Sequence, residues 1–171
     1  MHLLRCTNKL LTEMGLGKKG LYEGECSPTG LGNWYANLFR ISRYKCVLFT
    51  NESTLYSLVA FRVGKREITN LGAELRYHLR FALKQENIPD QVIFSILQDY
   101  MDIQYAKTNN RSVVGSMNEI LAEYKFRVKH AEIPNPMTME ELNREINRTP
   151  LKAIDFNYAV EKLHKLIEFR Y

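Results

Sequence analysis

The sequence lacks the features that mark several common classes of protein. Its three cysteines, Cys6, Cys26 and Cys46, lie far apart and form no Cys-x-x-Cys or Cys-x-x-His pair. An odd number of scattered cysteines argues against a disulfide framework, and zinc sites usually take their ligands in closely spaced pairs. The histidines are scattered as well. We therefore expect neither a structural disulfide nor a metal site.

Long apolar runs are also missing. No stretch approaches the roughly 20 apolar residues that a membrane helix needs. The N-terminal sequence MHLLRCTNKLL has no charged start followed by the long apolar core of a secretory signal. We therefore expect a cytoplasmic protein with no membrane partner.

The common catalytic motifs are absent too. There is no GxxxxGK[ST], no GxGxxG after a strand, no HExxH and no GxSxG, and the acidic residues do not cluster as in a two-metal nuclease. No cofactor is expected. Metal-free RNA cleavage stays open, because it needs only a base, a cation and positioning groups. Lys107, Arg111 and a histidine brought near by folding would supply them.

The composition is typical of globular proteins, and the charge is distributed unevenly along the chain. A chain of 171 residues, 45% hydrophobic and 25% charged, fits a single domain over residues 1–171. The net charge of +5 divides into +6 over residues 1–66, −3 over 67–104, +3 over 105–130 and −1 over 131–171. Two basic segments folded onto one face would attract a polyanion. The alternative is a solvated surface that happens to be basic.

The pattern of apolar residues predicts an α+β fold. Short runs at 38–41, 46–50 and 55–61 are separated by turn residues, which predicts a three-stranded antiparallel meander. One or two further strands, at 2–7 and 103–106, are expected beside it. About five amphipathic helices follow, with helix starts proposed at Thr7 or Asn8, Asn70, Thr138 and Asn157. We therefore expect a small, mostly antiparallel sheet packed by these helices. Residues 15–33 hold six of the nine glycines and predict a long irregular loop.

The polar segment KTNNRSVVGSMN at 107–118 is the strongest candidate for a binding site. It lies between a predicted strand and a predicted helix, where the unpaired backbone amides at the start of the helix form an anion-binding site. Gly115 would allow the close approach of a ligand or another helix. The charged and polar residues proposed to bind a phosphate or a nucleic-acid backbone are Lys107, Asn110, Arg111, Ser112, Ser116 and Asn118. The alternative is a capped loop whose Ser and Asn side chains satisfy backbone groups.

Two other positions could contribute to such a site. Trp34 and Tyr35 would form a stacking platform for bases, or else a core anchor at the start of the sheet. Arg148 would reach a shared anion site, or else simply favour the negative end of its own helix.

Several motifs together resemble a known family. In order, MHLLRCTNKLL, NWYANLFRI, CVLFTNESTLYS, KTNNRSVVGSMNE and LNREINRTP are similar to an uncharacterised bacterial domain-of-unknown-function family, which includes plasmid open-reading-frame-like proteins. The resemblance spans nearly the whole chain, and NRSVVGSMN is its most specific part. It implies a bacterial or phage-borne protein linked to mobile elements, and it implies no established activity. Asn33 stands where the family pattern leads us to expect Asp.

These observations favour a binding module for nucleic acid or another phosphate-bearing partner. A metal-independent enzyme such as a toxin-type ribonuclease, and a protein-interaction subunit, are the alternatives. Salt-dependent nucleic-acid binding separates the first two hypotheses from the third, and turnover in the presence of chelator separates the second from the first.

Overall fold

The computed structural model describes residues 1–17, 20–24, 26, 29–129 and 136–171, with the backbone alone for 136–138. Seven strands and seven α-helices lie along these residues. The strands are β1 (His2–Cys6), β2 (Trp34–Ile41), β3 (Tyr44–Asn51), β4 (Ser57–Phe61), β5 (Ile103–Lys107), β6 (Pro150–Leu151) and β7 (Asn157–Tyr158). The helices are α1 (Asn8–Met14), α2 (Lys65–Thr69), α3 (Leu71–Gln85), α4 (Asp90–Asp99), α5 (Arg111–Lys129), α6 (Pro136–Ile146) and α7 (Ala159–Arg170).

The main sheet has five strands in the order β4-β3-β2-β1-β5. The α+β class is confirmed, and the three runs predicted at 38–61 form β2, β3 and β4, which pair antiparallel. The sheet is nevertheless mixed rather than mostly antiparallel, because β1 pairs parallel with both β2 and β5. The connections at 7–33 and 62–102 are long enough for the crossovers that parallel strands require, whereas tight turns can join only antiparallel neighbours.

Both faces of the sheet are covered. Most residues of β2, β3 and β4 are buried, including neighbours along each strand, which requires packing on each side of the strands. Neighbouring side chains on a strand point to opposite faces, so Trp34 and Tyr35 enter different halves of the core. Trp34 faces α4, where its indole nitrogen donates to the Tyr100 hydroxyl. Tyr35 faces the turn that leads into α5, where it contacts Asn109.

The helices differ from the predicted set in number and in their starts. The described residues form seven instead of about five, and α2 had no counterpart in the prediction. Helix α6 begins before Thr138 and α7 begins after Tyr158, so neither Thr138 nor Asn157 occupies the N-cap position that was predicted for it. Thr7 and Asn70 occupy N-cap positions without a side-chain capping bond; the Thr7 hydroxyl donates instead to Asn37 Oδ1. Tertiary partners thus compete with local capping. Within the part of the chain described, no helix has the length and apolar character needed to cross a bilayer.

Helix α6 covers the outer edge of β4, which would otherwise expose unpaired backbone groups. The Asn147 carboxamide accepts from Ser57 N at 2.7 Å and donates to Ser57 O at 2.7 Å. Asn143 Oδ1 accepts from Val59 N at 3.0 Å and from the Tyr124 hydroxyl at 2.6 Å. Two asparagines one helical turn apart therefore take the place of a neighbouring strand.

Candidate anion-binding site

The polar segment lies at the carboxyl end of the parallel strands. β1 and β5 end side by side, with Cys6 opposite Lys107, and residues 108–110 turn from β5 into α5. A cavity of about 580 Å³ opens at this point between the turn and residues 21–24 and 26. Its described walls are Arg5, Leu21, Tyr22, Glu23, Gly24, Cys26, Lys107, Thr108 and Asn109. In open α/β sheets this end of the strands is the usual position for ligands.

Three cations, Arg5, Lys107 and Arg111, lie around this turn. Among the described residues, no acidic side chain forms an ion pair with any of them. Arg5 Nη1 donates to Lys107 O at 3.1 Å, while Arg5 Nε is buried and has no hydrogen-bond partner in the described part of the chain. Glu23 is the carboxylate among the described walls of the cavity, and it is exposed to solvent. Glu52, which contacts Tyr35 beneath the turn, is a second carboxylate nearby, and the three cations still leave the local charge of the described residues positive.

The amides at the start of α5 are already occupied. Asn110 Oδ1 accepts from Ser112 N at 3.0 Å and from Val113 N at 3.3 Å, and Asn110 O accepts from Val114 N. These three amides therefore have acceptors within the protein, as the capped-loop alternative predicts, and they are not free to bind an anion. The cationic side chains around the turn, in contrast, have no ion-pair partner among the described residues.

A second cavity of about 400 Å³ adjoins the first and shares Thr108 and Asn109 with it. Arg111, Gly115 and the exposed Asn118 are among its walls. Ser116 does not reach it as a free hydroxyl, because Ser116 is buried and donates to the backbone oxygen of Ser112 at 3.1 Å. Ser112 is exposed at the same helix start.

Gly115 has space around it. A Cβ atom built at this glycine would meet no described atom within 4 Å, so neither a steric clash nor a positive φ requires glycine there. The approach of another helix, one of its two predicted uses, is not observed among the described residues. Glycine in a helix interior costs stability relative to alanine. The open space beside Arg111 is therefore available to a ligand.

A buried polar network holds the turn in place. The Tyr35 hydroxyl donates to Asn109 Oδ1 at 2.6 Å and lies 3.3 Å from Glu52 Oε1. Burial, with the nearby charge of Glu52, raises the pKa of Tyr35 to about 12. Asn33 donates to Glu52 Oε2 at 3.1 Å and accepts from Leu3 N at 3.0 Å. An Asp in place of Asn33 would set two carboxylates against each other, which explains the amide here.

Trp34 and Tyr35 do not form a stacking platform in this structure. Both are fully buried on opposite faces of the sheet, and the Tyr100 hydroxyl that receives the Trp34 N–H donates in turn to Gly32 O at 2.7 Å. Neither ring offers an exposed face to a base. The core-anchor alternative describes both residues, because a buried indole or phenol needs a polar partner for its N–H or O–H.

Arg148 is engaged elsewhere. Its guanidinium forms a two-pronged contact with the Glu86 carboxylate, at 2.9 Å and 2.5 Å. Glu86 is almost fully buried, with 2% of its side chain exposed, and the Tyr56 hydroxyl approaches it at 3.4 Å. This contact raises the pKa of Arg148 further. Arg148 therefore neutralises a buried carboxylate and is not one of the residues gathered around the 107–118 turn.

The histidine expected for the enzymatic alternative is not found at the cavities among the described residues, and His130 lies outside the described part of the chain. Among the described histidines, His2 is buried with its ring nitrogens 2.8 Å and 2.9 Å from two backbone oxygens, and His78 and His164 lie near Glu74 and Glu86. None of these three lines the two cavities. Within the described residues, no group of three or more His, Cys, Asp or Glu side chains could hold a metal ion.

Sequence reasoning missed Arg5 and Glu23. Arg5 is part of an otherwise apolar strand, and a cation in such a strand is costly unless it is paired or used. This cation within an apolar strand is the sequence feature that could have identified Arg5 as a candidate binding residue. Glu23 belongs to the glycine-rich loop, and no pattern connects it to residue 107, because only the crossover of the chain brings the two segments together.

A search of curated proteins finds no match to this chain. A family model described as a domain of unknown function, DUF6933, matches residues 3–162. The matched region includes both cavities, the α6 cover of β4 and the Arg148–Glu86 pair. The chain belongs to the DUF6933 family.

Proposed function

We propose that this protein is a binding module for a phosphate-bearing partner, with nucleic acid as the first choice. The proposal is supported mainly by three cations that line two adjoining cavities, Arg5, Lys107 and Arg111. None of these cations has a carboxylate partner among the described residues. Unpaired cations beside a cavity are what an anionic ligand requires, and arginine forks suit phosphate geometry.

The buried Nε of Arg5 adds to this support. A buried donor without a partner costs free energy, and each such group in a native fold calls for an explanation. A phosphate oxygen entering the 580 Å³ cavity would supply the missing acceptor. Asn109, fixed by Tyr35, and Thr108 would contribute further polar groups at the same wall.

The test is Arg111→Ala, with Lys125→Ala as the control. Both residues are exposed cations of α5, so each change removes the same charge from the same helix. Titration with inorganic pyrophosphate and with a labelled oligonucleotide should show that Arg111→Ala weakens binding by about 1–3 kcal/mol, as expected for a charge-assisted hydrogen bond. Lys125→Ala should change it by less than about 0.5 kcal/mol.

Thermal unfolding of the same variants completes the test. Arg111 has no ion-pair partner among the described residues, so its removal should shift the free energy of unfolding by no more than about 0.5 kcal/mol. A loss of several kcal/mol with unchanged binding would mean that Arg111 is structural, and the proposal would then be wrong.

A metal-independent ribonuclease is the second candidate, and Glu23 is the observation in its favour. This carboxylate lines the same cavity as Arg5 and Lys107, so a base and two cations adjoin one space. If RNA is cleaved in the presence of chelator, Glu23→Gln should abolish turnover and leave RNA binding intact. No turnover by the unmodified protein would exclude this candidate.

A further inference from the structure

A second basic surface lies at the same end of the sheet. Because β2 and β4 run in the direction of β1 and β5, all four strands end at one side, which we call the carboxyl end of the sheet. The β2–β3 turn and the segment after β4 extend beyond this end. These two segments and the end of β2 carry five exposed cations, which we call the basic rim: Arg40, Arg43, Arg62, Lys65 and Arg66.

The rim has little acidic compensation. No cation of the rim forms an ion pair among the described residues. Two carboxylates lie nearby, and both have other partners. Glu13 pairs with Lys45, and Glu67 accepts from Gly64 N at 2.8 Å. Glu13 also interacts with Arg40, and Glu67 with Arg66, so the uncompensated positive charge of the rim lies on Arg43, Arg62 and Lys65.

Two of its arginines are held on an aromatic ring. The guanidinium carbons of Arg62 and Arg43 lie 4.2 Å and 5.1 Å from the centre of the Tyr44 ring. Phe61 packs edge-on against Tyr44 with ring centres 5.5 Å apart, and Arg43 Nη2 donates to the Tyr44 hydroxyl at 3.0 Å. Cation–π contacts of this kind hold guanidinium planes in position before any ligand arrives.

The backbone at Arg62 supports a role beyond packing. Its φ is +61°, in the left-handed region that favours glycine or asparagine. The side chain is nonetheless an exposed arginine, stacked on Tyr44. Strain of this kind at an exposed residue is typical of functional positions.

We propose that the basic rim binds single-stranded nucleic acid, with Arg43, Tyr44 and Arg62 at its centre. This inference rests on the proposed function, since it names the phosphate-bearing partner and adds a second contact surface to the turn at 107–111. The guanidinium groups of the arginines donate hydrogen bonds to the phosphates, and unpaired bases stack on the guanidinium planes. A duplex keeps its bases inside, so it offers the phosphates alone.

The test measures binding of a labelled oligodeoxythymidine of about 20 nucleotides to three double variants. Arg43→Lys with Arg62→Lys keeps the charge and removes the planar stack. Arg43→Ala with Arg62→Asn removes the charge, asparagine being chosen to tolerate the positive φ. Lys125→Ala with Lys165→Ala is the control, because it removes two exposed cations from helices away from the rim.

We expect the lysine variant to bind about 5-fold more weakly than the unmodified protein, and the uncharged variant about 30-fold more weakly. The uncharged variant should also lower the slope of log affinity against log salt by about 1.4, because each neutralised phosphate of a single strand contributes roughly 0.7 to that slope and two arginines are removed. The control pair should change affinity by less than about 2-fold.

Several results would overturn the inference. They are full affinity in the lysine variant, an uncharged variant that binds like the control, equal affinity for a duplex of the same length, and tighter binding to phosphatidylserine vesicles. Circular dichroism checks the fold of each variant. If the uncharged variant fails to fold, the affinity of the lysine variant alone tests the inference.

The rim and the turn can fail separately. If Arg111→Ala leaves pyrophosphate and oligonucleotide binding unchanged while the rim variants lose it, the site at the turn is wrong and the rim stands. If Arg111→Ala weakens binding while the rim variants bind like the control, the rim inference is wrong and the proposed function stands.

Discussion

The β4 edge and the carboxyl end of the sheet use the same residue types for opposite purposes. At the β4 edge, Asn147 and Arg148 direct their polar groups at the protein: Asn147 binds the backbone of Ser57, and Arg148 binds Glu86. At the carboxyl end, Asn110 caps α5 but Arg111 has no ion-pair partner among the described residues. NREINR and NNRS look alike in the sequence, and only their partners distinguish them.

The difference shows that the pairing of a cation, more than its position in a motif, indicates its role. Arg148 pairs with Glu86, whose side chain is only 2% exposed, so the charge of Arg148 is neutralised within the fold. Arg111 lines an open cavity, so its charge is available. Four sets of variants test this difference between paired and unpaired cations and the packing around them.

Arg148→Ala should have the largest effect. It leaves the buried Glu86 carboxylate without its counter-charge, and we expect a loss of about 3 kcal/mol in the free energy of unfolding, at the low end for a buried pair because Arg148 itself is partly exposed. Urea unfolding measures it. Arg144→Ala, an exposed arginine in the last turn of α6, should cost less than about 0.5 kcal/mol. Equal effects of the two changes would remove the structural role assigned to Arg148.

Asn147→Ala should come next. It removes the acceptor for Ser57 N and the donor for Ser57 O, both buried at the β4 edge, and we expect a loss of about 2–3 kcal/mol. The exposed edge should also promote aggregation, which light scattering detects. Asn118→Ala at the second cavity is the control and should not lower stability, because Asn118 is exposed in α5 and alanine favours the helix slightly more than asparagine. A neutral Asn147→Ala would show that α6 does not need this contact to cover the edge.

High pH should weaken the network beneath the turn. The pKa of Tyr35 is raised from 10.0 to about 12, so the fold favours the neutral phenol. Its contribution is complete below pH 10 and is lost as the pH rises through 12. In unfolding measurements across that window, Tyr35→Phe should reduce the decline in stability by about 1–2 kcal/mol. The same decline in both proteins would mean that Tyr35 titrates normally.

Two helix glycines give the smallest effects, with opposite signs. A Cβ at Gly72 would lie 2.7 Å from Ile103 Cγ2, so Gly72→Ala should lower stability by about 1 kcal/mol. A Cβ at Gly115 meets no described atom, so Gly115→Ala should raise stability by about 0.5–1 kcal/mol. If a phosphate-bearing ligand approaches α5 closely, Gly115→Ala should also weaken binding of the labelled oligonucleotide. Destabilisation by Gly115→Ala would show a structural need for glycine that the packing does not reveal.

Local patterns predicted most of the secondary structure. The runs of β2, β3 and β4 are dense in β-branched and aromatic residues, and the turns between them are too short for anything except antiparallel pairing. Gly15 ends α1 in the left-handed conformation that a glycine C-cap adopts readily. Thr7 and Asn70 occupy N-cap positions without a side-chain capping bond. The Thr7 hydroxyl bonds Asn37 instead, a distant residue that no local pattern contains.

Local sequence was enough to predict the α+β class, the strands of the meander and the polar character of the 107–118 segment, because these depend on neighbours within a few residues. The parallel pairing of β1 with β5, which sets Arg5 beside Lys107, joins distant segments and is seen only in the folded chain. The tertiary structure also decided that Arg148 is neutralised and that Arg43 and Arg62 share one tyrosine. Each of these depends on the path of the folded chain, and the electrostatic role of a side chain is set by the partner that folding brings to it.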